Sequence, residues 1–147
     1  MSEGLVIARI RKGPASEVWV VVTQYAGTAR LDVREYFRLR EGQDWLPTRK
    51  GVSIRAPLVG EAVAAAEELV GASTPGEAAA VSLGPKTRLR FAICEFNKRV
   101  YAEIRTYYRE DTTVDQWKPG KGVTFQLAVV SEVVKAMRMA GQQFPDA

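Results

Sequence analysis

Histidine is missing from this 147-residue sequence and cysteine occurs once. The first absence removes the commonest general base and the commonest metal ligand, and with them every Ser-His and Cys-His nucleophile pair. It also rules out a metal cluster built on Cys and His. The single Cys94 forms no internal disulfide, and its place in the apolar run LRFAICEF reads as a buried, reduced thiol. No apolar stretch approaches the roughly 20 residues that a membrane span needs. The opening MSEGLVIARIRKG has neither a long apolar region nor a small-residue cleavage site, so the reading is a protein that is neither exported nor membrane-bound. The segment KPGKG from Lys118 to Gly122 looks like part of a phosphate loop, but the GxxxxGK(S/T) spacing after a buried strand is lacking. The expectation is a protein that is not an enzyme and takes no cofactor and no metal.

What is there is a normal globular mixture, 46% hydrophobic and 26% charged, with 21 basic residues against 17 acidic ones. The mild excess favours an anionic partner. Arg outnumbers Lys by 14 to 7, and a planar guanidinium both matches phosphate oxygens and stacks on bases.

The chain repeats itself. Shifted by 71 positions, GPASEVWVVVTQY falls on GPKTRLRFAICEF, LDVREYFR on AEIRTYYR, and KGVSI on KGVTF. Positions 10 to 70 give 13 identities in 61. About 4 would be expected by chance, so an internal duplication is the better account. The expected organisation is a first module at 10–70, a small, Ala-rich linker at 71–82 and a second module at 83–142. The net charge is +1 over 10–71 and +5 over 81–142, which makes the second module the stronger expected attractor of phosphate.

Each copy reads as strand, strand, loop, strand, helix. Val18, Val20 and Val22 alternate with Trp19, Val21 and Thr23, as Leu89, Phe91 and Ile93 do with Arg90, Ala92 and Cys94. The next strand places Leu31 and Val33, or Ala102 and Ile104, on the core face. Its other face holds Arg30, Asp32, Arg34 and Tyr36, or Tyr101, Glu103, Arg105 and Tyr107. The helices carry apolar stripes (Leu58, Ala62, Val63, Ala66 and Leu69; Val130, Val133, Val134 and Met137), and Pro57 suits an opening turn. A module of about 60 residues buries too little surface alone, so the two are expected to pack about a pseudo-two-fold axis with a shared core. Arginines and aromatics that recur on one sheet face suit unpaired bases, whose flat faces stack on rings while cations track the phosphates.

The run VVTQYAGTARLDVREYF with LPTRKGVSI resembles the transcriptional positive cofactor four family, and AICEFNKRVYAEIRTYY with WKPGKGVTF resembles it again. The resemblance implies an α+β fold of two tandem ββββα modules, each a curved antiparallel sheet plus one helix, packed as an intramolecular pseudo-dimer. It implies single-stranded DNA binding in transcription, replication or repair. Stacking aromatics would be Tyr25 and Phe96, the strand arginines Arg34 and Arg105, the second aromatics Phe37 and Tyr108, and the loop lysines Lys50 and Lys121. The basic residues of the first hairpin correspond to Ala26 and Thr28 in one copy and to Asn97 and Arg99 in the other, where Lys98 lies between. With Arg30, Arg49 and Lys118, these residues make up the expected nucleic-acid-binding set. Strand alternation puts Phe37 on the face of Val33 unless a bulge intervenes. Whirly and Pur proteins resemble the same architecture more distantly. RNA binding and a protein-interaction scaffold are the alternatives. Further oligomerisation and transcription or replication partners are open, and the expected location is the cytoplasm, with the nucleoid, in a prokaryote or the nucleus in a eukaryote.

Overall fold

The computed structural model describes residues 3–25 and 27–144. The first four strands are β1 (Glu3–Gly13), β2 (Ser16–Tyr25), β3 (Thr28–Phe37) and β4 (Leu46–Arg55), and helix α1 (Val59–Glu67) follows. The second set is β5 (Gly76–Gly84), β6 (Thr87–Phe96), β7 (Arg99–Tyr108) and β8 (Lys118–Gln126), followed by α2 (Val130–Gly141). Each set of strands is an antiparallel meander, ordered β1-β2-β3-β4 and β5-β6-β7-β8. The fold is therefore α+β, two tandem ββββα modules. The registers of the two central strand pairs agree residue for residue under the 71-residue shift, as in the pairs Trp19 with Arg34 and Arg90 with Arg105.

The stretch 71–82 corrects the expectation of a linker, since from Gly76 onward it is strand β5, paired with β6. Alanine is a poor strand former, but an adjacent strand with unpaired backbone groups overrides that weak preference. Likewise β1 begins seven residues before position 10, where the first module was expected to start. Only residues 68–75 connect α1 to β5.

Alternation decides which face is buried. Val18, Val20, Val22, Leu31 and Val33 point inward in one module, and Leu89, Phe91, Ile93, Ala102 and Ile104 in the other. Both helices enter through a single 3-10 turn, the first with Pro57 in it, and each has a glutamate (Glu61, Glu132) in its first turn, where the helix dipole favours negative charge. The stripes of both helices are covered by exchange. Helix α2 lies against β1, β2 and β3 of the first sheet, α1 lies against β5 and β6 of the second, and the helices touch each other. One continuous core results, in which Val59, Ala62, Ala66 and Leu69 mix with Val133, Val134, Met137 and Phe144. Strands β4 and β8 run beside each other where the modules meet. On the core side Glu35 is buried and paired with Lys12, whose ammonium also donates to Thr124 of the second module at 3.4 Å.

Candidate functional site

The helices cover one face of each sheet, so side chains of the opposite parity line the other. On the first module this outer face presents Arg9, Trp19, Arg34 and Tyr36 on adjacent strands. The Trp19 and Tyr36 rings stack at 3.9 Å between centroids and 11° between planes. The guanidinium of Arg9 lies 4.7 Å from the Trp19 ring and 5.6 Å from that of Trp45, over which Arg38 also sits at 4.6 Å. Glu17 accepts from both Arg9 Nε and Trp19 Nε1 at 2.9 Å. Cations and rings thus satisfy one another on this face. Burial, then the charge of Asp32, pushes the Tyr36 phenol above its usual range.

On the second module the same positions read differently, with Arg88 in place of Glu17 and Arg90 in place of Trp19. Arg90 donates to the Tyr107 hydroxyl at 3.1 Å and to Glu77 at 3.1 Å, and Arg88 and Arg109 lie 4.8 and 4.5 Å from the Trp117 ring. Cys94 is half-buried with its thiol 3.6 Å from a Glu103 oxygen. Burial first, then the Glu103 charge, holds that thiol above its ordinary value.

A bulge recurs in both modules and positions the loop lysines. Arg34 pairs with Gly51 and Tyr36 with Pro47, so Thr48, Arg49 and Lys50 stand opposite Glu35 alone. In the second sheet Arg105 pairs with Gly122 and Tyr107 with Pro119, leaving Gly120 and Lys121 opposite Thr106. Such insertions bend a strand and re-aim its side chains. The strand arginine pins each bulge. Arg34 is held by Asp32 at 3.0 Å and donates to the Thr48 carbonyl at 3.0 Å, while Arg105 is held by Glu103 at 2.9 Å and donates to the Gly120 carbonyl at 2.8 Å. Both arginines lie flat over a glycine. A Cβ on Gly51 would stand 2.8 Å from the Arg34 side chain, and one on Gly122 would stand 2.7 Å from that of Arg105.

The expected binding residues therefore divide. Arg49, Lys50, Lys118 and Lys121 are exposed on the bulged strands. Phe96 is 69% exposed at the end of β6, and Lys98 and Arg99 stand exposed beside it in the hairpin. Arg34 and Arg105 are half-buried and committed to the bulges. Arg30 is half-buried and donates to Ser53 at 3.4 Å. No irregularity interrupts the pairing of β2 with β3 or of β6 with β7, so alternation leaves Phe37 and Tyr108 on the helix side, at its rim. There Phe37 lines an open pocket of about 470 Å³ with Leu39, Gln43, Asp44 and Leu46. The Tyr25 side chain and Ala26 lie outside the described residues.

Sequence reasoning passed over Arg9, Trp45, Arg88, Arg109 and Trp117. The signal was present in the outward parity of β1 and β6, while the two tryptophans come into register only at a shift of 72. Among the described residues no group of three or more Cys, Asp and Glu gathers to hold a metal ion, and no helix is long and apolar enough to cross a membrane.

Residues 84–136 match the family model of Transcriptional Coactivator p15 (PC4). The second module, from the β5–β6 turn into α2, thus carries a domain of that family. No curated protein sequence matches the chain.

Proposed function

We propose that the protein binds single-stranded DNA on the outer faces of its sheets, the second module carrying the larger share, and that it serves transcription by binding rather than by catalysis. The observation that carries this reading is the exposure of Phe96 beside Lys98 and Arg99, in the module that matches a coactivator family. An exposed ring offers a base a stacking partner, and the adjacent cations suit its phosphates. Lys118 and Lys121, with Arg49 and Lys50 in the first module, extend the cationic track along the bulged strands. Arg30 adds to it from β3. We read the first module as a second copy of the same family domain, with Tyr25 in the place of Phe96. Arg34 and Arg105 act by holding the bulges, and Phe37 and Tyr108 contribute at the rim. Location follows the ligand, the nucleoid or the nucleus.

Titration of labelled oligothymidylate and of a duplex at two salt concentrations tests the reading. Single strands should bind at least about tenfold more tightly than duplex, because a duplex hides its base faces. The logarithm of affinity should fall with that of salt by roughly 0.7 per phosphate contact. Equal affinity for both forms would exclude stacking. A flat salt response would point to a protein partner, and displacement of the DNA by a matched RNA at lower concentration would make RNA the ligand.

A further inference from the structure

The outer face of the second module gathers positive charge at the end remote from Phe96. Arg88 and Arg109 lie over Trp117, and Arg90, two residues on from Arg88 along β6, lies over Tyr107, where the first module has Glu17, Arg38, Trp45, Trp19 and Tyr36. In the first module the carboxylate of Glu17 answers Arg9 at 2.9 Å. In the second that carboxylate is replaced by a guanidinium. Among the described residues, the one carboxylate within ion-pair distance of this group is Glu77, which meets Arg90 at 3.1 Å and Arg88 at 3.7 Å and is itself 39% exposed. Arg109 forms no ion pair among the described residues and donates to the carbonyls of Pro85 and Val114. Asp115 accepts the Trp117 indole N–H at 2.8 Å. Three cations thus share one paired anion, and Arg88 Nε is buried without a hydrogen-bond partner. A buried donor left unpaired is costly, and like charges drawn together repel. Both costs fall when an anion with several acceptor oxygens enters, and a guanidinium fork meets a phosphate with two parallel hydrogen bonds.

We propose that Arg88 and Arg109, over Trp117, together with Arg90, which shares Glu77 with Arg88, form a subsite for a phosphate group of a bound nucleic-acid strand. The inference rests on the strand-binding reading and extends it. From Arg88 to Phe96 is eight residues of β6, about 26 Å at the usual rise per residue, so the subsite extends the track along nearly the whole length of that strand. The phosphate is an internal diester or a 5′-terminal group, since both offer a guanidinium fork at least two non-bridging oxygens.

The test uses the full chain and the variant Arg88→Glu. The fold accommodates glutamate here, because Glu17 occupies the corresponding place in the first module. Arg88→Glu should weaken oligothymidylate binding by about tenfold or more and lower the salt slope by roughly 0.7, the value of one contact. Lys135→Gln, on the exposed side of α2, removes a charge elsewhere and should change neither. An equal loss for oligonucleotides with and without a 5′ phosphate assigns an internal diester, and a loss confined to the phosphorylated form assigns the terminus. Unchanged affinity and slope in Arg88→Glu, with Phe96→Ala still weakened, would overturn the subsite and leave the strand-binding reading standing. If the parent chain binds no oligonucleotide, the strand-binding reading fails instead, and inorganic pyrophosphate decides the subsite. Shifts of the Arg88 and Arg109 Nε–Hε resonances would support it, and their absence would overturn it.

Discussion

At the scale of single residues, the contrast between Phe96 and the two strand glycines separates binding from folding. Phe96 is mostly exposed, so Phe96→Ala should leave the denaturation midpoint almost unchanged while costing about 1 to 3 kcal/mol of single-strand affinity. Equal affinity of the folded variant would sink its stacking role. Gly51→Ala and Gly122→Ala should do the reverse. Their methyl groups would meet the arginine that crosses them at under 3 Å, and forced overpacking of this kind costs about 1 to 3 kcal/mol, measurable by urea unfolding. The repeat picked out Gly51 and Gly122 together with Arg34 and Arg105, so the residues of this device were legible. Their purpose was not. An arginine on an outward face suggests a ligand, and only the register shows that its guanidinium is turned back to a bulge carbonyl. Cys94 was legible as a thiol in an apolar stretch. It sits half-buried on the outer face, and with its ionisation held back it should alkylate more slowly at neutral pH than a free thiol, a comparison for iodoacetamide labelling.

At the scale of elements, the β6–β7 hairpin holds a lysine in the left-handed region where the β2–β3 turn has a glycine. Asn97 and Lys98 both adopt positive φ, 51° and 63°, as the two-residue hairpin turn requires, whereas Gly27 takes a φ of 79° in the β2–β3 turn without a side chain to object. Lys98→Gly should therefore stabilise the protein by about 1 kcal/mol and at the same time weaken strand binding. If thermal stability and affinity moved in the same direction, the lysine would not be held there for its charge. The central strands were plain from their alternating valines, but the edge strands were not. β5 is small and Ala-rich and looked like a connection, because its strand character comes from β6 beside it and not from its own composition. The tryptophans were hidden by compensation. The loop before Trp117 is one residue longer than the loop before Trp45, and the bulge after it is one residue shorter, so a fixed shift aligns the flanks and misses what lies between.

At the scale of the whole molecule, helix exchange makes each sheet depend on the other module. The apolar helix stripes announced that each needed cover, and the charge pattern hinted that the two modules were not alike. Which helix covers which sheet was beyond the sequence, since both stripes suit either face. Even the pair closing the helices, Glu67 with Arg138 at 2.7 Å, joins residues 71 apart and so sits at equivalent places in the two copies. A protease site inserted between Ser73 and Thr74 should give, after cleavage, two fragments that elute together. Separation into two folded monomers would contradict the shared core. The short connection 68–75 has a further consequence, because it turns the meeting of the modules into an event within one chain. Two separate halves would come apart on dilution, and their stability would track their abundance. Tethered, each sees the other at an effective concentration fixed by the connection. The melting temperature should therefore hold constant across a hundredfold dilution, and a cell making few copies would have the same fraction assembled as a cell making many.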